Sequence, residues 1–317
     1  MREHVANEDH EAPRRRWVKF LSLALGFVLI VGAGLSGLMA AQVLRDQGLT
    51  VLLVDKGRSV GGRLATRRVG PGKADNGAQF FTARRREFRA YLEPLIAAGV
   101  VADWPAVFTQ LRGDSDDEQR QWGEEYPHYV GEPGMSAVGK ALAEGLDIRL
   151  ETTVRSLSRR GDLWRLADND GQALGEFDWV VVTTPAAQAA ELLAETSVAS
   201  AANVTMQACF ALLLGFDDSL DLPWQAALVH DADISWISVN SSKPGRPADF
   251  CLLAHSSNAW AANNLGLEDA SVIELMIKEL GDISKQDMSN AAHIDLHRWL
   301  YANIEKQSGD QALIDAD

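Results

Sequence analysis

The feature that most constrains this chain is a spaced set of glycines, Gly32-Ala-Gly-Leu-Ser-Gly37, lying between two segments of different periodicity. Phe27–Val31 before it is short, apolar and β-branched at its end, as buried parallel strands are. Ser36–Gln47 after it has helical periodicity and stops at Gly48; Thr50–Val54 is a second apolar strand ending in Asp55. A β-α-β unit gives each glycine a task. The first makes a tight turn, the second lets backbone approach a pyrophosphate, and the third lets the helix pack on the strand. Backbone N–H groups and the positive end of the helix then face the phosphates. Gly32, Gly34, Leu35, Ser36 and Gly37 are expected to hold a dinucleotide, with Asp55 accepting hydrogen bonds from its ribose.

Hydropathy competes with this assignment. No charged residue occurs from Phe20 to Leu44, and Arg14, Arg15 and Arg16 precede the stretch. Taken alone, that describes a membrane helix or an uncleaved signal. The glycines interrupt the run at dinucleotide-binding spacing, so residues 1–24 are read as an extension, an upstream start or a membrane-surface tether. A spanning helix is the alternative.

The formal charge of −14 argues against a general nucleic-acid binder, which needs a basic face. The cluster Arg84, Arg85, Arg86 reads as solvated surface. Cys209 and Cys251 stand far apart and outside any Cys-x-x-Cys pattern, which fits a reducing, cytoplasmic compartment without disulfides. No metal site is expected. Asp114, Asp116 and Glu118 fail as a calcium loop because Gln119 stands where glycine is needed. His293 and His297 are four apart on a predicted strand and lack the glutamate of a helical zinc motif.

Further along, the pattern predicts a helix over 84–98, a turn at Gly131–Ser136 entering a helix to Glu144, and strands at 148–154, 163–167 and 179–183. Pro185 opens a helix to about Ala194. Strands follow at 209–216, 226–230, 234–240 and 250–255, then a helix over 267–280 and a final strand at 293–301. The expected fold is α/β: a Rossmann-like nucleotide domain with a discontinuous parallel sheet (25–85 and 132–200) plus a second domain with a mixed or antiparallel sheet and helices (86–131 and 201–300). Residues 301–317 begin a return to the first domain.

The loop Lys56-Gly-Arg-Ser-Val-Gly-Gly-Arg63 resembles the Gly-Gly-Arg loop that follows the second strand in flavin amine-oxidase-like enzymes. Arg63 would supply a forked donor near the pyrophosphate or flavin edge. The strings Asp75-Asn-Gly-Ala-Gln-Phe-Phe-Thr-Ala-Arg84, Gly134-Met-Ser136, Thr184-Pro185, Trp236 through Asn240-Ser-Ser-Lys-Pro244, and His297-Arg-Trp-Leu-Tyr301 resemble bacterial renalase-type flavoproteins, from about Phe27 onward.

That resemblance implies non-covalent FAD and oxidation of dihydro-NAD(P) isomers with hydride at ring carbon 2 or 6, O2 taking the electrons to give peroxide and NAD(P)+. It also implies cofactor contacts from Lys56, Gly62, Arg63, Ala78, Gln79, Phe80, Val154 and Thr184. Hydride transfer needs a dry, shaped pocket more than acid–base groups. Trp236, Trp260, Trp299 and Tyr301 are candidates for its walls, with Asn240 and His255 as groups orienting a carboxamide. Family members continue into a Gly-Asp pair and a closing helix, so a chain ending at Asp317 is expected to be truncated. The rival expectations are a flavin amine oxidase of another small substrate, and a non-catalytic, membrane-tethered nucleotide-binding remnant.

Overall fold

The computed structural model describes residues 26–112, 115–116, 119–122, 127–199 and 204–304. The 1–24 extension, Asp114, Glu118 and the tail from Ser308 lie outside the described residues. Phe27–Val31 is an inner strand of a four-stranded parallel sheet ordered Asp147–Arg149, Thr50–Val54, Phe27–Val31, Trp179–Val182. Both faces of this sheet are covered, which is why its strands are continuous apolar runs. The helix Leu35–Asp46 buries Leu38 and Ala41 on one side. On the other, Leu29, Val31, Leu52 and Val54 pack against Leu166 and Phe177 of an antiparallel sheet, Val154–Arg160, Leu163–Asp168 and Ala173–Phe177.

One expected strand is two. The run 148–154 divides into Asp147–Arg149 in the parallel sheet and Val154–Arg160 in the antiparallel one. Between them Glu151 takes a left-handed φ of 52°, and the turn is pinned by Thr152 N–H to the Asp55 carbonyl at 2.9 Å. Both pieces are β, so residue preference alone carries no sign of the break.

A second sheet runs in the order His293–Ile304, Met206–Phe216, Phe250–Ser256, Ile234–Val239, Ala226–His230, Val107–Arg112, Ser115–Asp116, with Arg120–Gln121 also pairing to Val107–Arg112. It is mixed, because Ala226–His230 lies parallel to Val107–Arg112 while the other pairs are antiparallel. The helix Asp269–Ser284 seats Val272, Met276 and Leu280 against Phe210, Leu212 and Leu214. The opposite face, with Ala211, Leu213, Cys251 and Leu253, meets Val69 and Ala74 of the hairpin Thr66–Val69 and Gly72–Asp75. That hairpin follows the glycine-rich loop directly, and it carries Asp75 from the nucleotide side onto the second sheet. Among the described residues no helix is long and apolar enough to cross a membrane.

Candidate active site

The first part of the site is built from backbone. Gly32 has φ +108°, and a Cβ on it would lie 2.8 Å from the Thr183 hydroxyl. A Cβ on Gly37 would lie 1.9 Å from the Gly32 carbonyl oxygen, inside any tolerable contact, so only glycine fits. Around Gly34 nothing lies within 4 Å of a Cβ position, which leaves the middle of the loop open. The helix that starts at Leu35 has no side-chain cap and no acid in its first turn. An uncapped, acid-free helix start beside an open glycine is a seat for an anionic group.

Thr183, which sequence reasoning did not single out, fixes this loop by donating to the carbonyls of Val31 and Gly32 at 3.1 and 2.9 Å. Its neighbour Thr184 has a buried hydroxyl with no partner in the protein. Asp55 accepts from Ala33 N–H and Gly57 N–H, each at 2.6 Å, joining the two glycine loops. A carboxylate has about four acceptor positions, so capacity for a ribose remains. Gly62 has φ +54° and packs over Gly34; Lys56 and Arg63 are exposed. Arg63 donates to the Ala302 carbonyl at 2.8 Å, tying the loop to the last strand. Val154 is partly buried and packs against the core of the parallel sheet.

The second part is a buried charge cluster. Asp75, Lys243 and Arg246 have fully buried side chains. Asp75 Oδ2 meets Lys243 Nζ at 3.1 Å and Arg246 Nη2 at 2.5 Å. Its Oδ1 accepts from the Thr66 hydroxyl at 2.8 Å and from Met135 N–H at 2.9 Å. Burial opposes ionisation of Asp75, but Lys243 and Arg246 hold its carboxyl below the usual carboxylate range. Burial pulls Lys243 downward, with Asp75 opposing. The strings around Asp75, Gly134 and Asn240 therefore converge on one carboxylate.

Two residues expected to meet ligand have protein partners in this cluster. The Gln79 amide donates to the carbonyls of Asp75 and Gly77 and accepts from Ser238 and Lys243, so it is spent on the protein interior. Asn240 accepts from Asp75 N–H at 3.1 Å and donates to the Lys73 carbonyl at 2.7 Å, so it staples the hairpin. Lys243 and Arg246 were missed because partners so far apart in the chain leave no local signal.

On the other side of the Asp75–Gln79 turn the Asn76 carbonyl accepts twice, from Trp299 Nε1 at 2.7 Å and from His255 Nε2 at 3.3 Å. A carbonyl only accepts, so His255 carries its proton on Nε2. Burial pushes its pKa down to about 4, leaving a neutral ring at physiological pH. Asn76 itself is 1% exposed, yet its Oδ1 has no partner. A Cβ on Gly77 would come within 2.0 Å of the Arg63 carbonyl oxygen, so the turn presses on the glycine loop, with Ala78 and Phe80 following.

Phe80 packs on Trp122, His128 and Trp236 at 4.9–5.5 Å between ring centroids. Trp236 stands opposite His255 in the sheet register, and its indole N–H is buried without a partner. Trp260 is corrected: it meets Phe210 edge-on at 5.5 Å and packs against the core beneath the Asp269–Ser284 helix, not at this face. Tyr301 is partly buried two residues beyond Trp299 on the last strand. The calls brought together are thus Trp236, His255, Trp299 and Phe80; Asn76 was missed as a residue in its own right, although it stood inside a quoted string.

Comparison with known proteins agrees with this construction. Residues 30–95 match the NAD(P)-binding Rossmann-like domain, and residues 95–309 match the flavin containing amine oxidoreductase family. Solved structures sharing the fold include a protein assigned as a protoporphyrinogen oxidase from Exiguobacterium sp. 255-15, 15% identical, TM-score 0.75, covering 90% of this chain and 88% of that one. Wild-type putrescine oxidase bound to putrescine is 13% identical, TM-score 0.64, covering 86% and 84%. An oxidoreductase from Methanosarcina mazei is 12% identical, TM-score 0.63, covering 87% and 88%. The open glycine cradle and the unpartnered Thr184 hydroxyl fit the FAD that such a family implies. With its second match spanning most of the chain, the protein belongs to the flavin containing amine oxidoreductases and is an FAD-dependent oxidoreductase.

Proposed function

We propose that the protein oxidises dihydro-NAD(P) isomers bearing the hydride at ring carbon 2 or 6. FAD, when bound, would supply the hydride acceptor and the route of two electrons to O2; with one proton taken up, the products would be NAD(P)+ and H2O2. The observation that carries this reading is the constellation around the Asp75–Gln79 turn. It gathers the renalase-like strings on one buried carboxylate and presents Trp236, His255 and Trp299 on the far side.

In this scheme Gly32–Gly37, Asp55, Gly62, Arg63, Ala78, Val154 and Thr184 hold the cofactor. The 25–85 and 132–200 segments form its domain, and 86–131 with 201–300 form the substrate domain. Trp236 and Trp299 wall the pocket and exclude water, and neutral His255 holds the Asn76 backbone in place. Hydride transfer asks for such positioning and for little proton movement. No acid or base is required at the wall.

The test is anaerobic addition of 2- or 6-dihydro-NAD(P) to FAD-loaded protein. Stoichiometric bleaching of the flavin, with peroxide on admitting air, is expected. Bleaching by an amine such as putrescine, and by neither isomer, would overturn the proposal. That second reading has the aromatic packing of Phe80, Trp122 and Trp236 in its favour, since ring faces also attract ammonium groups.

A further inference from the structure

We propose that Trp236 and Asn76 form a donor–acceptor pair that reads a primary carboxamide on the substrate ring, selecting amide-bearing rings over ammonium ions. The inference rests on the oxidase reading above and supplies its specificity residues. Trp236 Nε1 and Asn76 Oδ1 are both buried and both lack a partner in the protein. Leaving such an atom unpaired costs roughly 1–3 kcal/mol, and native structures rarely do so without a ligand or water to answer it. One atom is a donor and the other an acceptor, the complement of an amide's C=O and NH2.

The two belong to one neighbourhood. Trp236 stands opposite His255 across the sheet, and His255 Nε2 donates to the Asn76 carbonyl at 3.3 Å. Trp299 Nε1 holds the same carbonyl at 2.7 Å, so the Asn76 backbone is fixed while its side-chain oxygen is unclaimed. An ammonium ion finds less here. Asp75, the carboxylate beside Asn76 in the chain, is fully buried and engaged by Lys243, Arg246, Thr66 and the Met135 amide.

The experiment uses the FAD-loaded full chain and reads binding apart from turnover. Affinities of NAD+ and of its 3-acetylpyridine and nicotinic-acid analogues are taken from perturbation of the flavin spectrum. The acetyl analogue keeps the carbonyl and lacks the NH2; the acid replaces the amide with a charge. Wild type is expected to bind NAD+ about tenfold more tightly than either analogue, one hydrogen bond's worth. Trp236→Phe is expected to weaken the amide and acetyl ligands alike, and Asn76→Ala to weaken only the amide.

Equal affinity of wild type for NAD+ and the acetyl analogue would overturn the pair, and that comparison needs no variant to fold. Asn76→Ala weakening both ligands by the same factor would also overturn it. If the amide preference is found but neither dihydro isomer bleaches the flavin, the pair stands and the oxidase reading fails. If the isomers bleach the flavin without an amide preference, the pair fails alone.

Discussion

The cradle around Gly32–Gly37 and the wall around Asn76 solve the same problem, holding a ligand, with opposite materials. The cradle uses backbone: glycines, amides, one helix start and the Thr183 hydroxyl clamp its loop against the parallel sheet. The wall uses side chains: a buried ion cluster behind and, in front, indoles and an imidazole carried on strands of the mixed sheet. Backbone surfaces tolerate little variation where a Cβ would strike a carbonyl. Side-chain surfaces can be rebuilt residue by residue. On the proposed reading, the shared nucleotide chemistry belongs to the cradle and the substrate choice to the wall.

Breaking the contrast should be easiest at Gly37. Any side chain there must displace the Gly32 carbonyl, 1.9 Å from the Cβ position. Gly37→Val is expected to purify with flavin absorbance per protein reduced by more than about tenfold, or to fail to fold. Near-normal flavin content would refute the cradle. Next comes Asp75→Ala, which leaves Lys243 and Arg246 buried without their anion. Removing one member of such a cluster costs roughly 3–5 kcal/mol, to be read from the urea midpoint at constant slope. A loss under about 1 kcal/mol would mean that water reaches the cations.

A pH titration then sharpens the distinction. The unfolded imidazole of His255 protonates below its ordinary 6.5, the folded one only near 4. Between those values the unfolded state binds more protons, so stability falls as pH drops through the window and the His255 share levels off below it. His255→Gln should flatten that segment of the stability profile; an unchanged slope there would rule His255 out. Asp75, also depressed, adds stability that is present above its unfolded pKa and is lost only at still lower pH. Smaller again is Trp299→Phe, which removes the 2.7 Å hydrogen bond to Asn76 and should lower stability by about 1 kcal/mol in the same assay. Least of all, Cys209 and Cys251 should ignore thiol reagents in the native state, because burial raises their pKa to about 11 and about 12. Labelling at neutral pH without denaturant would show the second sheet to be looser than its packing.

What sequence could show follows the same division. Gly32, Gly34, Gly37 and Asp55 were legible because their constraint lies within one β-α-β unit, where spacing is geometry. The five strands of the mixed sheet between Met206 and Ile304 were legible from their apolar character, but Val107–Arg112 was not, and outside that sheet the run 148–154 hid a change of sheet at Glu151. The roles of Gln79 and Asn240 were not. Each sits in a recognisable string, but the Ser238, Lys243 and Lys73 partners lie 159–167 residues away, and only folding shows which protein groups an amide meets. Asn76 and Lys243 escaped for the same reason. Trp260 looked like Trp236 by residue type, but it lies on the helix Asn258–Asn264 and packs on Phe210, on the sheet face away from Trp236.

The hydrogen bond from Arg63 to Ala302 spans 239 residues. During synthesis the glycine loops emerge early, while the strand that pins one of them arrives near the end of the described chain. At ribosomal speeds of about 5–20 residues per second, the interval between the two is roughly 10–50 s. For roughly the first half of that time the parallel sheet also waits for Trp179–Val182 to take its place beside Phe27–Val31. If the cradle holds flavin as proposed, the contact that pins its second loop forms only after residue 302 has been made, so pigment uptake would report that the far-separated ends of the site have met.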